Sequence, residues 1–250
     1  MISVVTAYYN RKKLFHNTLL SMAKSTYKDF EVIAVDDASK EEERLEDLIQ
    51  EFSFLRVVRV DPKDKTYRNS CIPYNIGINK AKGDIIILQN PECMHADDVF
   101  LHVVEKLTED NYLTMSCYSI NKEMGVWSLS SLPQQIVNNY VGWYNHSKFN
   151  PCAYHFCSAI TRSNMNKLGG FDERYADGIG YEDNEFLDRV RRLGLKVSIE
   201  DNITVIHQWH PKVYDLSASK LYRRLYDMNA RLHRRTKKET IIKVRNSYAN

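Results

Sequence analysis

No stretch of this chain is apolar over anything near the roughly 20 residues that cross a bilayer. The longest strongly apolar run is Ile85 to Leu88. The N-terminal MISVVTAYYNRKK passes from a short apolar stretch into charge, the reverse of a secretory signal, and reads as a first buried strand. Cysteines are few: Cys71, Cys93, Cys117, Cys152 and Cys157 are odd in number and form no CxxC pair. Neither a disulfide framework nor a zinc site is indicated, and reduced thiols in a cytoplasmic chain are the expectation. The two N-x-S/T sequons, at Asn145 and Asn202, are then chance occurrences. No GxGxxG follows the first strand, which disfavours a nicotinamide dinucleotide site, and no GxxxxGK[ST] marks a P-loop. Internal repeats, low-complexity segments and nucleic-acid-binding modules are also missing.

What remains is an ordinary globular composition. Of 250 residues, 43% are hydrophobic and 27% charged, enough for one large domain or two small ones. The net charge of +3 hides an asymmetry. Residues 220–245 carry ten Lys/Arg against two Asp/Glu, a local balance of +8, while the rest has 25 basic and 30 acidic residues. An acidic body with a basic tail speaks against nucleic acid as partner. The tail either closes over the domain as a solvated helix or rests on an anionic membrane surface as a peripheral contact.

The first 90 residues alternate between strand and helix signals. Ile2–Thr6, Glu31–Val35, Leu55–Val60 and Ile85–Leu88 are apolar runs. Between them lie Leu14, Leu19, Leu20 and Met22, then Leu45, Leu48, Ile49 and Phe52 at helical spacing, then a short helix over Ile72–Ala81. Strand, helix, strand with short connections predicts βαβ units and a Rossmann-like, doubly wound, mostly parallel α/β sheet with helices on both faces. Strands covered on both faces read as unbroken apolar runs, as these do. Such sheets bind ligands beyond the carboxyl ends of their strands. The residues to inspect are therefore Thr6–Asn10, Asp36-Asp37, the stretch after Val60, and Gln89–Glu92.

The second half is less regular. Residues 121–156 are rich in Asn, Ser and aromatics, including Trp127, Tyr140, Trp143, Tyr144, Phe149, Tyr154 and Phe156. Further expectations are a strand at Phe156–Thr161, a helix at Glu182–Leu193 stopped by Gly194, two short strands at Lys196–Ile199 and Ile203–Ile206, and a helix at Leu216–Arg235. The last carries Leu221, Leu225, Met228 and Leu232 along one side.

Three early segments, SVVTAYYNRKKLFHNTLLSM, EVIAVDDAS and NIGINKAKGDIIIL, resemble the nucleotide-binding half of family 2 glycosyltransferases with the GT-A fold. The later GGFDERYADGIGYEDNEFLDRV resembles the acceptor-side motif of that group and of related galactosyltransferases. Each segment is weak alone, but they occur in the expected order across most of residues 1–210. The resemblance implies a GT-A domain over 1–218, with a nucleotide-binding half (1–95) and an acceptor-side half (96–218), followed by the basic helical tail (219–250). It implies an inverting transferase of hexosyl or hexosaminyl groups from a UDP-sugar to a hydroxyl of a glycan or glycoconjugate.

The resemblance also distributes roles. Asp37 takes the imide N–H of uracil, although a doublet at a strand end also serves as a turn or an N-cap. Thr6 and Tyr9 stand where the family lines the base pocket; Tyr9 either stacks on the base or fills the core. Arg68 meets the uracil edge, the diphosphate, or only solvent. Asn90 and Glu92 occupy the two Asp positions of the family's Asp-x-Asp. This is a departure: Glu92 offers a hard cation an oxygen ligand, whereas Asn90 offers the ribose an acceptor but no charge. His207, with His210 as alternate, stands where the family offers a metal or diphosphate ligand. An imidazole tilts the expected divalent metal from magnesium toward manganese. Asp183 is the expected general base, because a sugar hydroxyl attacks only if a carboxylate takes its proton. Glu182 beside it helps bind acceptor or donor sugar. Gly178 and Gly180 are read as letting the backbone approach a ligand. The lost Asp-x-Asp pair motivates a different reading, a non-catalytic sugar-nucleotide or glycan-binding module. A sugar nucleotidyltransferase is disfavoured, since Tyr8–Arg11 contains no glycine.

Overall fold

The computed structural model describes residues 1–120, 142–211 and 214–247. Trp127 and Tyr140 of the aromatic segment lie outside the described residues. The four early apolar runs become β1 (Ile2–Tyr8), β2 (Phe30–Asp36), β3 (Leu55–Arg59) and β4 (Ile85–Gln89), all parallel and arranged 3-2-1-4. The sheet continues through β5 (Cys93–His95), β6 (Asn111–Ser119), β7 (Trp143–Asn145), β8 (Cys157–Thr161) and β9 (Lys196–His207). Its full order is 3-2-1-4-8-6-9-5, with β7 beside β6. This second half is mixed: β8 runs antiparallel to β4 and β6, and β9 runs parallel to β6.

Alternation along each strand builds two cores. Val4, Val32, Ala34 and Ile87 face α1 (Lys12–Ala23), the single-turn α2 (Leu48–Glu51) and α4 (Val99–Lys106). Val5, Ile33, Val35 and Ile86 face α3 (Cys71–Lys80), α5 (Arg162–Leu168) and α6 (Glu182–Arg192). The sheet is thus doubly wound, as the unbroken apolar runs require. Gly77 lets α3 sit directly on β1, since a Cβ there would lie 2.4 Å from Val5 Cγ1.

Three expectations need correction. The two short strands at Lys196–Ile199 and Ile203–Ile206 are one strand. Its pairing skips from Met115↔Glu200 to Ser116↔Thr204, so the polar residues between form a bulge rather than a turn. The helix expected around Leu45–Phe52 shrinks to one turn, because Asp47 at its start makes no capping bond. The C-terminal helix α7 (Lys220–Thr236) starts later than expected, capped by Ser219, whose hydroxyl accepts the Tyr222 amide. Leu221 at its start is 53% exposed, while Leu225, Met228 and Leu232 are half-buried along the side that also carries the buried Asn229 and Thr236. Polar and aromatic contacts add to the docking of this helix, and apolar periodicity cannot report those.

The chain after α7 is tied to the body. Val244 N donates to Leu168 O, and Arg189 and Arg192 of α6 donate to carbonyls between Thr236 and Ile242. Asn145 is fully buried, its amide holding Thr114, Met115 and Ala153, so the sequon it heads is inaccessible as folded. No helix among the described residues is long and apolar enough to cross a membrane.

Candidate active site

The carboxyl ends of β1, β2 and β4 open into a cleft of about 530 Å³. Its walls come from Ala7–Tyr9 and Arg11 after β1, Asp37 after β2, the 65–70 loop before α3, and Pro91 after β4. All four stretches that the strand-end rule singles out are therefore represented. The opposite rim is Gly178–Gly180 and Glu182, with Tyr214 and Tyr222 from the C-terminal region.

The Asp36-Asp37 doublet divides its work. Asp36 is fully buried; it accepts the Ser39 amide and pairs with Arg59 at 2.8 Å, a fold-holding role. Asp37 faces the cleft, where Tyr67 Oη donates to its Oδ1 at 2.8 Å and Lys65 Nζ sits 2.8 Å from its Oδ2. Lys65 also lies over the Tyr9 ring, 4.2 Å from its centre. Tyr9 is 39% exposed, which leaves its ring available to a ligand. Arg68 lines the cleft, and its carbonyl accepts from Tyr214 Oη at 3.4 Å. Thr6 does not line it: β1 runs two residues past the expected end, which leaves the Thr6 side chain inside the sheet with an unpartnered, buried Oγ1.

Behind Pro91 lies a second cluster. Glu92 is buried, with His207 Nε2 3.2 Å and His210 Nε2 3.6 Å from its Oε1. Arg11 Nη1 reaches Oε2 at 2.6 Å from the cleft side. Burial opposes the charge, but the two histidines and the Arg11 guanidinium outweigh it and hold this carboxyl well below the usual range. Ligand atoms of Glu92, His207 and His210 all lie within 4.8 Å of one another. His207 Nδ1 and His210 Nε2 are buried without a hydrogen bond. One carboxylate and two imidazoles with spare donor atoms suit a divalent cation, so both histidines belong to the cluster. Asn90 is not among the residues that line the cleft; its Oδ1 accepts from Tyr74 Oη at 3.1 Å.

The Gly178–Asp183 motif forms the far wall. Glu182 and Asp183 open α6, where the helix dipole favours negative charge. Glu182 accepts from Asn69 Nδ2 at 2.6 Å. Burial and the adjacent Asp183 push the Glu182 carboxyl up, against the Asn69 bond. Tyr181, before the helix, has φ of +70°, a left-handed conformation that a non-glycine residue adopts at a cost. It is held by the Tyr226 and His233 rings of α7, at 5.0 and 5.5 Å between centroids. The two glycines answer to this helix as well as to the cleft. A Cβ at Gly178 would lie 2.1 Å from Asn229 Oδ1, and Asn229 Nδ2 donates to the Gly180 carbonyl at 2.8 Å. These glycines thus line the cleft and also admit α7. Gly178→Ala is expected to overpack this joint and destabilise the fold by about 1–3 kcal/mol. A thermal melt unchanged from the native chain would show that α7 yields freely.

Sequence reasoning missed Arg11, Lys65 and His155. The first two follow strands at positions where a lone cation carries no pattern. His155 comes from the segment before β8, is 5% exposed, and places Nδ1 against Asp183 Oδ1.

A parallel βαβ half that ends in a nucleotide-sized cleft, with Asp37 and Glu182 facing it and the Glu92–His207–His210 cluster behind, defines the class: a glycosyltransferase of the GT-A fold. The chain belongs to glycosyl transferase family 2, whose model matches residues 3–169, and residues 153–210 match the N-terminal domain of galactosyltransferase. It is 28% identical to the chondroitin synthase of Escherichia coli, aligned over 84% of this chain but only 35% of that protein. It therefore spans about a third of that relative's length. Among solved structures it is similar to S. aureus TarS 1–349 in complex with UDP-GlcNAc. That match has a TM-score of 0.63 and 15% identity, over 92% of this chain and 65% of that one. It is also similar to a mannosyltransferase from Pyrobaculum calidifontis in complex with GDP-Man and Mn2+. There the TM-score is 0.58 and the identity 15%, over 85% and 58% of the two chains. At such identities the shared property is the fold.

Proposed function

We propose that this chain is an inverting glycosyltransferase that moves a hexosyl or hexosaminyl group from a UDP-sugar to a hydroxyl of a glycan or glycoconjugate. The observation that carries the reading is the placement of Glu182 across one cleft from Asp37, with Asp183 next to it at the start of α6. A nucleotide site and a proton acceptor then lie on opposite sides of a space that fits a sugar diphosphate. The two solved neighbours were captured with different nucleotides, so the fold alone does not choose the base. Asp37 supports uracil, because its carboxylate can accept an imide N–H and Tyr9 offers a ring beside it. Lys65 shares that carboxylate and is poised to turn toward the diphosphate as the base arrives.

In the proposed reaction the acceptor oxygen attacks the anomeric carbon from the face opposite the leaving group. The new carbon–oxygen bond forms as the bond to the β-phosphate breaks, and that electron pair leaves with UDP. Asp183 takes the acceptor proton, and a single displacement inverts the anomeric centre. Glu182, tied to Asn69, is placed to bind a sugar hydroxyl. Arg11, Lys65 and Arg68 surround the diphosphate with positive charge. Glu92, His207 and His210 would hold a divalent cation, manganese in preference to magnesium, which when bound neutralises charge gathering on the diphosphate. Five unpaired cysteines, four of them buried, agree with a reducing, cytoplasmic setting.

Asp37→Ala tests the donor assignment. It removes the imide acceptor and frees Lys65, so UDP affinity should fall about tenfold or more, in line with a lost charge-assisted hydrogen bond. Calorimetric affinity equal to that of the native chain would remove Asp37 from the base site.

A further inference from the structure

We infer that His155 is a positioning residue for Asp183, a buried imidazole that aims the carboxylate at the acceptor and receives the proton that carboxylate takes. The inference rests on the reading of Asp183 as the base. No motif points to His155, and it lies 28 residues from Asp183 in a segment that the strand and helix patterns leave unassigned.

Geometry makes the case. His155 is buried while the Asp183 side chain keeps 28% exposure, so the imidazole backs the carboxylate from the protein side and leaves its outer edge to substrate. The ring is clamped on two faces, edge-on to Tyr74 at 4.8 Å and to Phe171 at 5.0 Å between centroids. It cannot follow Asp183 if the latter moves; it fixes where Asp183 points. Asp183 opens α6, and its neighbour Glu182 is held by Asn69 on the cleft side rather than by the imidazole. The neighbouring Asn184 is held separately, donating from Nδ2 to Tyr154 Oη at 2.6 Å.

The charged and titratable surroundings are few. Asp183 and Glu182 face the imidazole from α6, and the Tyr74 hydroxyl approaches from α3. Tyr112 of β6, with Tyr154 and Cys152 of the preceding segment, also sense the Asp183 charge. No cation competes with His155 for Asp183 among these groups. Burial alone would keep the imidazole neutral, but Asp183, and behind it Glu182, raise its proton affinity above the ordinary histidine value. A proton arriving at Asp183 can therefore pass to Nδ1, which leaves an imidazolium–carboxylate pair and an unprotonated carboxylate edge. The acceptor loses the proton, His155 gains it, and UDP carries away the electron pair.

The sign for activity follows. At low pH His155 is already an imidazolium and has no room for a second proton, so kcat should rise with pH as His155 loses its proton. That midpoint lies above the ordinary histidine value.

Two substitutions separate positioning from folding. His155→Leu fills the space without a donor; kcat with a UDP-sugar should fall about 10- to 100-fold, with UDP affinity unchanged. His155→Asn keeps an N–H near Nδ1 but cannot titrate, so it should recover most of kcat while losing the acid limb of the pH profile. Independently of turnover, the His155 ring followed by NMR should titrate above ordinary histidine in the native chain and below it in Asp183→Asn. A His155→Leu enzyme with native kcat and pH profile overturns the inference and leaves the functional reading standing. A His155 titration indifferent to Asp183→Asn overturns it as well. A native chain that transfers no sugar while His155 titrates as expected sinks the functional reading, and the catalytic part of the inference with it.

Discussion

Asp183→Asn leaves UDP bound and stops transfer. The substitution keeps the side chain's shape and removes only its ability to accept a proton. General-base assistance contributes about 100- to 10,000-fold, and no other described carboxylate is placed to replace it. Glu182 is next in sequence, but its oxygens are directed to Asn69 and Ser70. Asp183 does not line the donor cleft, so UDP affinity should stay within about twofold, under 0.5 kcal/mol. Single-turnover assays with a saturating UDP-sugar, beside calorimetry with UDP, read both quantities. Turnover retained within tenfold would take Asp183 out of the mechanism. Lost UDP affinity would instead mean that the doublet serves the donor.

Glu92→Gln has the second large effect. The native carboxylate faces Arg11, His207 and His210 and supplies the single negative charge of that cluster. With a neutral amide, the cluster becomes two imidazoles beside a guanidinium, a poor cation site by charge alone. Manganese should no longer strengthen UDP binding, and transfer that depends on the metal should fall with it. Stability should also drop, by about 3 kcal/mol, since removing one partner leaves the other's charge without its counter-ion. This is the low end for a buried pair, because the Arg11 side chain keeps 19% exposure and can turn to the cleft. A Glu92→Gln chain whose UDP affinity still rises with manganese would place the cation elsewhere.

The parts of this molecule legible in the sequence are those where physics leaves a periodic trace. β1 to β4 are covered on both faces, so each reads as an apolar run, and the strand-end rule then marks the stretches that hold Tyr9, Asp37, Arg68 and Glu92; the family resemblance picks out these residues within them. The doublet at Asp36-Asp37 is divided in the sequence only by resemblance; Arg59 beside Asp36 and the cleft beside Asp37 separate a fold-holding carboxylate from a cleft-facing one. The missed residues are of another kind. His155, Lys65 and Arg11 are single side chains whose meaning comes from a contact with a residue 28 or more positions away. Gly178 shows the reverse error. Its signal was real, but part of its cause is Asn229 of α7, a buried polar side chain invisible to a search for apolar faces.

The central claim, a uridine diphosphate site built around Asp37 beside a cation cluster at Glu92, is tested most directly by calorimetric titration of the native chain. UDP, GDP and CDP are each titrated with manganese and again with a chelator. The account predicts binding of UDP in preference to the other two, strengthened by manganese and weakened by the chelator. Preference for GDP, or no nucleotide bound under any condition, would contradict it.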